Sequence, residues 1–295
     1  VLPHAFTAGQ RPASEGGIDA HTHFYDPTRK EGVAWPPKEE KLLYRRVMPE
    51  DLKPLAKSAG VIGTVVVEAS AWVEDNQWLL DLADREPFIL GIVGRLEPGA
   101  EDFDRHLTRF ARHPKFKGIR VGTWGGLPGL DQPRVLDDYR RLADANLTLD
   151  TNGGAERLPQ VARLARAVPG LRIVVNHVAN VRVDGTAPPA EWLQGIRELA
   201  GLPQVCCKLS GLVEGTGRQP APTDPGHYRP VFDEVWRAFG PDRVIYGSNW
   251  PVSERFASYG AVQTLAQALL ADKDATAREA SFAGNARRAY RLSTA

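Results

Sequence analysis

The chain has 295 residues, 42% of them hydrophobic and 25% charged, the proportions of an ordinary globular domain. With 37 basic against 36 acidic residues the net charge is +1, which argues against a nucleic-acid or membrane-surface partner, and no apolar run approaches the ~20 residues a membrane span needs. The opening VLPHAFTAGQ has neither the basic start nor the apolar stretch of a secretory leader, so a cytoplasmic location is expected, and a first residue other than Met reads as a trimmed or tagged terminus. The two cysteines, Cys206 and Cys207, are adjacent. Neighbours on a strand face opposite ways, so they are expected to be buried thiols rather than a disulfide.

Eight short runs rich in Val and Ile read as strands in chain order: 16–24, 61–70, 88–96, 116–122, 147–152, 172–179, 204–212 and 243–250. Amphipathic stretches separate most of them, at 49–60, 75–86, 102–113, 135–146, 157–168, 189–200 and 228–240. The first opens Pro-Glu-Asp and closes at Gly60, as helix ends prefer. Eight strands alternating with helices in this length predict one α/β domain over 1–295, a single (β/α)8 TIM barrel. Residues 1–15 form an N-terminal extension, and 277–292 an extra C-terminal helix packing on the barrel. An open doubly wound sheet would carry a glycine-rich phosphate turn after its first strand. Here that strand ends in His-Thr-His, and GGLPG (125–129) lacks the Lys-Ser/Thr of a phosphate cradle, so no nucleotide cofactor is expected. The irregular segments 25–48 and 211–228 follow strands and are expected at the carboxyl-terminal mouth, where barrel enzymes keep their binding loops.

The strand ends carry the chemistry. Asp19, His21 and His23 alternate on the first strand, and a period of two places all three on one face, the imidazoles roughly 6–7 Å apart. Two imidazoles so placed can address one ion or one substrate group. Glu68 ends the second strand, and counting by two from Val66 turns it inward. Arg120 ends the fourth, a residue suited to a carboxylate or an oxyanion. Asp150, His177 and Lys208 end the fifth, sixth and seventh, and Ser248 and Asn249 the eighth. Polar groups at so many strand ends mark the catalytic end of a barrel.

IDAHTHFYDP, FKGIRVG, NHVAN, CKLSGL, YGSNWPV and the closing GNARRAYRL resemble the amidohydrolase-related barrels, in the branch that holds sugar-acid lactonases and the pyrone-dicarboxylate lactonase. The resemblance runs from about residue 16 to 292 and implies hydrolysis of a small cyclic ester. It implies a reaction centre at His21, His23, His177 and the eighth-strand acid, with Arg120 holding a substrate carboxylate or carbonyl. The eighth-strand position departs from the family pattern: it is Asn249, and an amide cannot be a general base. Three readings stand: Asn249 orients water while His177 or Glu68 accepts the proton, an Asp→Asn change has been engineered, or the barrel only binds. Glu68, unexpected in this branch, is a candidate compensating carboxylate.

His21, His23, Glu68 and His177 could together hold one zinc ion, and the alternative is metal-free polarisation of the carbonyl by the histidines. The leading expectation is a lactonase acting on a small, anionic substrate. In it His177, Asn249, Glu68 and Lys208 are catalytic, and Arg120, Asp150, Trp250, Trp72 and Arg182 bind substrate, with Tyr228 beside them. The rivals are a metal-dependent decarboxylase of aromatic acids and a silent small-molecule-binding barrel. Self-association into a homo-oligomer stays open.

Overall fold

A computed structural model describes residues 16–293 other than Gly125; the N-terminal extension expected over 1–15 lies outside the described residues. Eight parallel strands pair in sequence order: β1 (Gly17–Thr22), β2 (Val61–Val67), β3 (Ile89–Gly94), β4 (Phe116–Val121), β5 (Thr148–Thr151), β6 (Arg172–Val175), β7 (Val205–Leu209) and β8 (Val244–Tyr246). The ring closes near the mouth. Thr22 bridges Trp250, the Asn249 amide N–H donates to the His21 carbonyl at 2.8 Å, and the His23 N–H donates to the Trp250 carbonyl at 2.9 Å. This is the (β/α)8 barrel that the strand–helix alternation predicts.

Seven of the surrounding helices fall where the apolar spacing puts them, with ends shifted by a few residues. An eighth, Tyr259–Leu269, was not expected from the sequence. It starts at Ser258, whose hydroxyl accepts from the Ala261 N–H, and it completes the outer ring. Among the described residues no helix is long and apolar enough to cross a membrane.

Two apolar layers hold the barrel. The larger lies between sheet and helices, and the smaller fills the barrel itself with Ile18, Ala20, Val65, Val67, Val93, Val174, Cys206 and Ile245. Ala283, Ala286, Ala289, Tyr290 and Leu292 of the C-terminal helical run join this inner layer. The extra helix therefore plugs the amino-terminal end of the barrel. Its segments are Ala275–Glu279, Ala280–Gly284 in wider π geometry, and Asn285–Tyr290. Thr148 and Arg172 side chains donate to the Ala289 carbonyl, and Asn285 Nδ2 to the Val244 and Pro241 carbonyls, which fixes the plug to the strand starts. Cys206 belongs to the inner layer and Cys207 to the outer, both free and buried, as alternation requires.

Strands β4 to β8 stop short of the predicted ends, and left-handed backbone follows each of them. Gly122, Gly153, Gly211 and Asn249 all have φ between 60° and 151°. After β6 the residues His177, Val178, Ala179 and Asn180 are consecutively left-handed, with φ from 46° to 56°. For side-chain-bearing residues this conformation costs roughly 1–2 kcal/mol each, and such strain gathers at functional sites.

Candidate active site

The mouth brings together what the sequence scattered. The ring centroid of His21 lies 5.1 Å from that of His23 and 4.4 Å from that of His177. Asn249 Oδ1 is 3.2 Å from His23 Nε2. His21, His23, His177 and Asn249 thus form one cluster at the barrel seam.

Asp19 does not share their face. Ile18 and Ala20 pack inside the barrel, whereas Asp19 accepts from Tyr259 on the outer helix and from the Ser248 and His21 amides. Strict alternation fails because the β1–β2 register shifts between Asp19 and Thr22, a bulge that re-aims the next side chains.

Neighbours fix the imidazole protons. Lys208 Nζ sits 3.3 Å from His21 Nδ1, and an ammonium only donates, so Nδ1 accepts and Nε2 carries the hydrogen. That Nε2 is buried without a partner. His23 Nδ1 faces the Val67 carbonyl at 2.9 Å; a carbonyl only accepts, so Nδ1 carries hydrogen here. His177 Nδ1 meets Ser210 Oγ at 2.9 Å, and the same hydroxyl accepts the His177 backbone N–H. Burial pushes all three rings toward the neutral form. His21 lies well below the usual imidazole range through burial and then through Lys208 and the other two rings. His177 does so through burial, Arg120 and Lys208, and His23 falls to about 3 through burial and Arg120.

Beneath the cluster Lys208 is fully buried, 2.6 Å from Asp150, and Tyr290 of the plug reaches both Asp150 oxygens at 3.0 Å. Burial lowers the Lys208 ammonium and Asp150 opposes that shift. Both Asp150 oxygens are thus committed to Lys208 and Tyr290 rather than to a substrate, and Lys208 acts on His21 rather than on the mouth. Glu68 is also spoken for. Arg120 Nε donates to its Oε1 at 2.8 Å, Arg120 Nη2 to its backbone carbonyl at 2.6 Å, and Trp124 Nε1 and the Ser70 amide to its Oε2 at 2.8 and 3.0 Å. Val66, two residues before Glu68, packs in the outer layer, so counting by two from it does not turn Glu68 inward. The expectation of Glu68 as a free base, and of Arg120 as a free anion holder, gives way to an internal ion pair.

The remaining expectations divide. Trp250 is buried, its ring 6.2 Å from Phe24 and its Nε1 on Glu254, so it builds the seam rather than a substrate wall. Tyr228 is buried with its hydroxyl on the Pro222 carbonyl, and Ser248 Oγ accepts from the Trp250 amide. The Arg182 side chain is 80% exposed beside Asp184, pointing to solvent. Trp72 is half-exposed and lines a small cavity with Trp35, Trp78 and Glu68; Trp35 also packs 6.1 Å from His23.

Sequence reasoning missed Glu214. It follows β7, where its Oε1 accepts from Asn249 Nδ2 at 2.7 Å and its Oε2 is buried without a partner. Burial raises its carboxyl to about 7. Its one available signal is that it is the sole ionisable residue in 209–217.

The donor set does not fit the expected zinc site. His21 Nε2 carries hydrogen with an ammonium behind the ring, His23 offers its second nitrogen to Asn249, and Glu68 is bound by Arg120. Among the described residues no three His, Cys, Asp or Glu side chains are arranged to hold a metal ion.

Comparison with known proteins agrees with the fold. The amidohydrolase family model matches residues 18–292. An L-fucono-1,5-lactonase of Burkholderia ambifaria is 35% identical over 283 residues, 93% of this chain and 95% of that one. An amidohydrolase of Burkholderia multivorans, solved with zinc bound, superposes with a TM-score of 0.83 at 28% identity, covering 94% of this chain and 99% of the other. A putative 2-pyrone-4,6-dicarboxylic acid hydrolase from Pseudomonas putida shares the fold, with a TM-score of 0.76 at 22% identity over 95% and 99% of the two chains. The chain belongs to the amidohydrolase family, and its relatives place it among enzymes of lactonase type.

Proposed function

We propose that this hydrolase opens an uncharged, sugar-derived lactone rather than the anionic ring compound expected from the sequence. The observation that supports this reading is that each cation at the strand ends already owns a carboxylate: Arg120 holds Glu68 at 2.8 Å and Lys208 holds Asp150 at 2.6 Å, all four side chains at most 5% exposed. A substrate carboxylate would have to break one of these buried pairs, leaving its partner uncompensated at several kcal/mol. A polyhydroxylated neutral ring asks only for hydrogen bonds, and the 35%-identical relative is named for such a substrate.

In the reaction, water adds to the lactone carbonyl carbon and the carbonyl electrons move onto oxygen. His21 Nε2–H, held in that tautomer by Lys208, is a buried donor aimed at the developing oxyanion. His177, with Nδ1–H given to Ser210, keeps a lone pair on Nε2 and takes the proton of the attacking water. The tetrahedral centre then collapses, the ring C–O bond breaks, and the leaving oxygen regains a proton from His177. Asn249 orients the water or the sugar and titrates in neither step. Zinc enters none of these steps, since the donor set leaves it no place.

The test is a substrate panel of aldono-1,5- and 1,4-lactones, a pyrone dicarboxylate and aryl carboxylates, with acid and carbon dioxide release followed separately. The expected result is acid release from neutral lactones, lost by 10²–10⁴-fold in His177→Asn. Carbon dioxide from an aryl acid, or binding without turnover across the panel, would overturn the assignment.

A further inference from the structure

Outside the histidine cluster the Asn249 amide meets the titratable Glu214, and the two junctions around this amide restrict each other. His23 Nδ1 must carry hydrogen because it faces the Val67 carbonyl at 2.9 Å. Its Nε2 lies 3.2 Å from one end of the Asn249 amide, and the other end lies 2.7 Å from Glu214 Oε1. An amide has one accepting and one donating end. If His23 is an imidazolium, its Nε2–H needs the amide oxygen, the amide N–H2 turns to Glu214, and Glu214 Oε1 must accept, as a carboxylate oxygen does. If His23 is neutral, its Nε2 lone pair needs the amide N–H2, the amide oxygen turns to Glu214, and Glu214 must carry a proton. With no proton on either group, two acceptors face each other at one junction in both orientations.

We propose that His23, Asn249 and Glu214 form a unit that retains a shared proton, and that Glu214 is a positioning residue deciding which end of the Asn249 amide faces the reaction centre. An amide at this strand tip is then a working part: it cannot titrate, but it reports the state of Glu214 to His23 by turning over.

The surroundings decide where the proton rests. His23 faces Arg120, Lys208 and the other two imidazoles, and burial with Arg120 drives it to about 3. Glu214 faces Arg255, which favours its charge, and the neutral Tyr228; burial outweighs Arg255 and raises it to about 7. The proton therefore sits on Glu214 at and below neutral pH. Asn249 then turns its N–H2 toward His23, half a rotation from the arrangement with Oδ1 on Nε2, in the same space since the amide's two ends are alike in size. Above about pH 7 Glu214 ionises and the amide loses a partner. The catalytic consequence rests on the lactonase reading: kcat falls above about pH 7, up to tenfold per unit, as the amide loses its fixed orientation.

Glu214→Gln tests this, because a Gln N–H2 donates permanently to the Asn249 oxygen and imitates the protonated acid. The expected result is a variant that folds, works within about threefold of the parent at pH about 6, and keeps that rate to pH about 8.5 after subtraction of spontaneous hydrolysis. An unchanged alkaline limb, or loss of turnover at every pH in a folded variant, would overturn the proposal. Infrared difference spectra between pH about 6 and 8.5 give a readout independent of turnover: a protonated-carboxyl band in the parent, absent from Glu214→Gln. Without that band the shared proton is disproved even if lactones are hydrolysed. With the band but no turnover of any lactone, the functional reading fails and the relay stands. If Glu214→Gln does not fold, Glu214→Asp, a methylene short of Asn249, should shift both band and limb, and an unshifted pair would overturn the proposal.

Discussion

The two ends of the same eight strands are built on opposite principles. At the amino-terminal end the C-terminal helix drives Ala283, Ala286, Ala289 and Tyr290 into the inner layer, and Thr148, Arg172 and Asn285 satisfy backbone carbonyls around it. At the mouth four consecutive left-handed residues begin at His177, and His21 Nε2 and Glu214 Oε2 are buried without partners. One end spends its polar groups on itself and the other holds them ready, as expected where stability is traded for a reactive site. Between the ends runs a single polar chain, Tyr290–Asp150–Lys208–His21. The base of the barrel thus sets the tautomer of a histidine at its top.

The sharpest way to break this division is to cut that chain in the middle. Lys208→Met leaves Asp150 as a buried carboxylate held only by Tyr290, and should destabilise the protein by about 3–5 kcal/mol in denaturant unfolding. Activity should fall as well, because His21 loses the donor that holds its proton on Nε2. Replacing Asp150 by Leu in the same chain should recover much of the stability without recovering turnover. If both returned together, Lys208 would be a structural residue alone.

How far the sequence reveals each end follows the same division. The barrel was legible because alternating apolar strands and amphipathic helices obey the regular periods of two and 3.6. Helix Tyr259–Leu269 escaped because AVQTLAQALL has no charged face to contrast with its apolar one. At the mouth, His21, His23, His177 and Asn249 were legible as strand-end polar residues, but the partners of Glu68, Arg120 and Asp150 were not. Those pairings join side chains from strands far apart in sequence. Glu214 lies beyond a left-handed Gly211, where no period carries information. Val178 and Ala179 are residue types that give no hint of left-handed backbone.

A second experiment separates the ends by pH. His21, His23 and His177 are all pushed down from about 6.5, the value each regains on unfolding. Their contribution is therefore fully present above about pH 6.5 and is lost as pH falls toward their folded values, about 3 for His23. Each then costs about 1.4 kcal/mol per pH unit. Glu214 and Asp19, both raised by burial, bind protons in the folded state and oppose the trend, so the net loss on acidification is smaller than the three histidines alone would give. Denaturant midpoints at pH about 6.5 and 5.5 measure it. His177→Asn should flatten the slope, whereas a substitution in the plug should move the whole curve and leave the slope alone.

The smallest expected effect falls on the plug itself. Tyr290→Phe removes a hydroxyl shared by both Asp150 oxygens at 3.0 Å and nothing else. A hydrogen bond to a buried carboxylate is worth about 1.5 kcal/mol, so unfolding should come that much earlier. Lys208 stays on Asp150, the proton stays on His21 Nε2, and kcat should change by less than about threefold. The ring continues to pack among Ala286 and Ala289, so no cavity adds to the loss. If kcat instead fell by tenfold or more with only this modest loss of stability, the hydroxyl would be tuning Lys208 from below. The plug would then belong to the catalytic apparatus, and the division between a finished base and a poised mouth would have to be redrawn along the Tyr290–Asp150–Lys208–His21 chain.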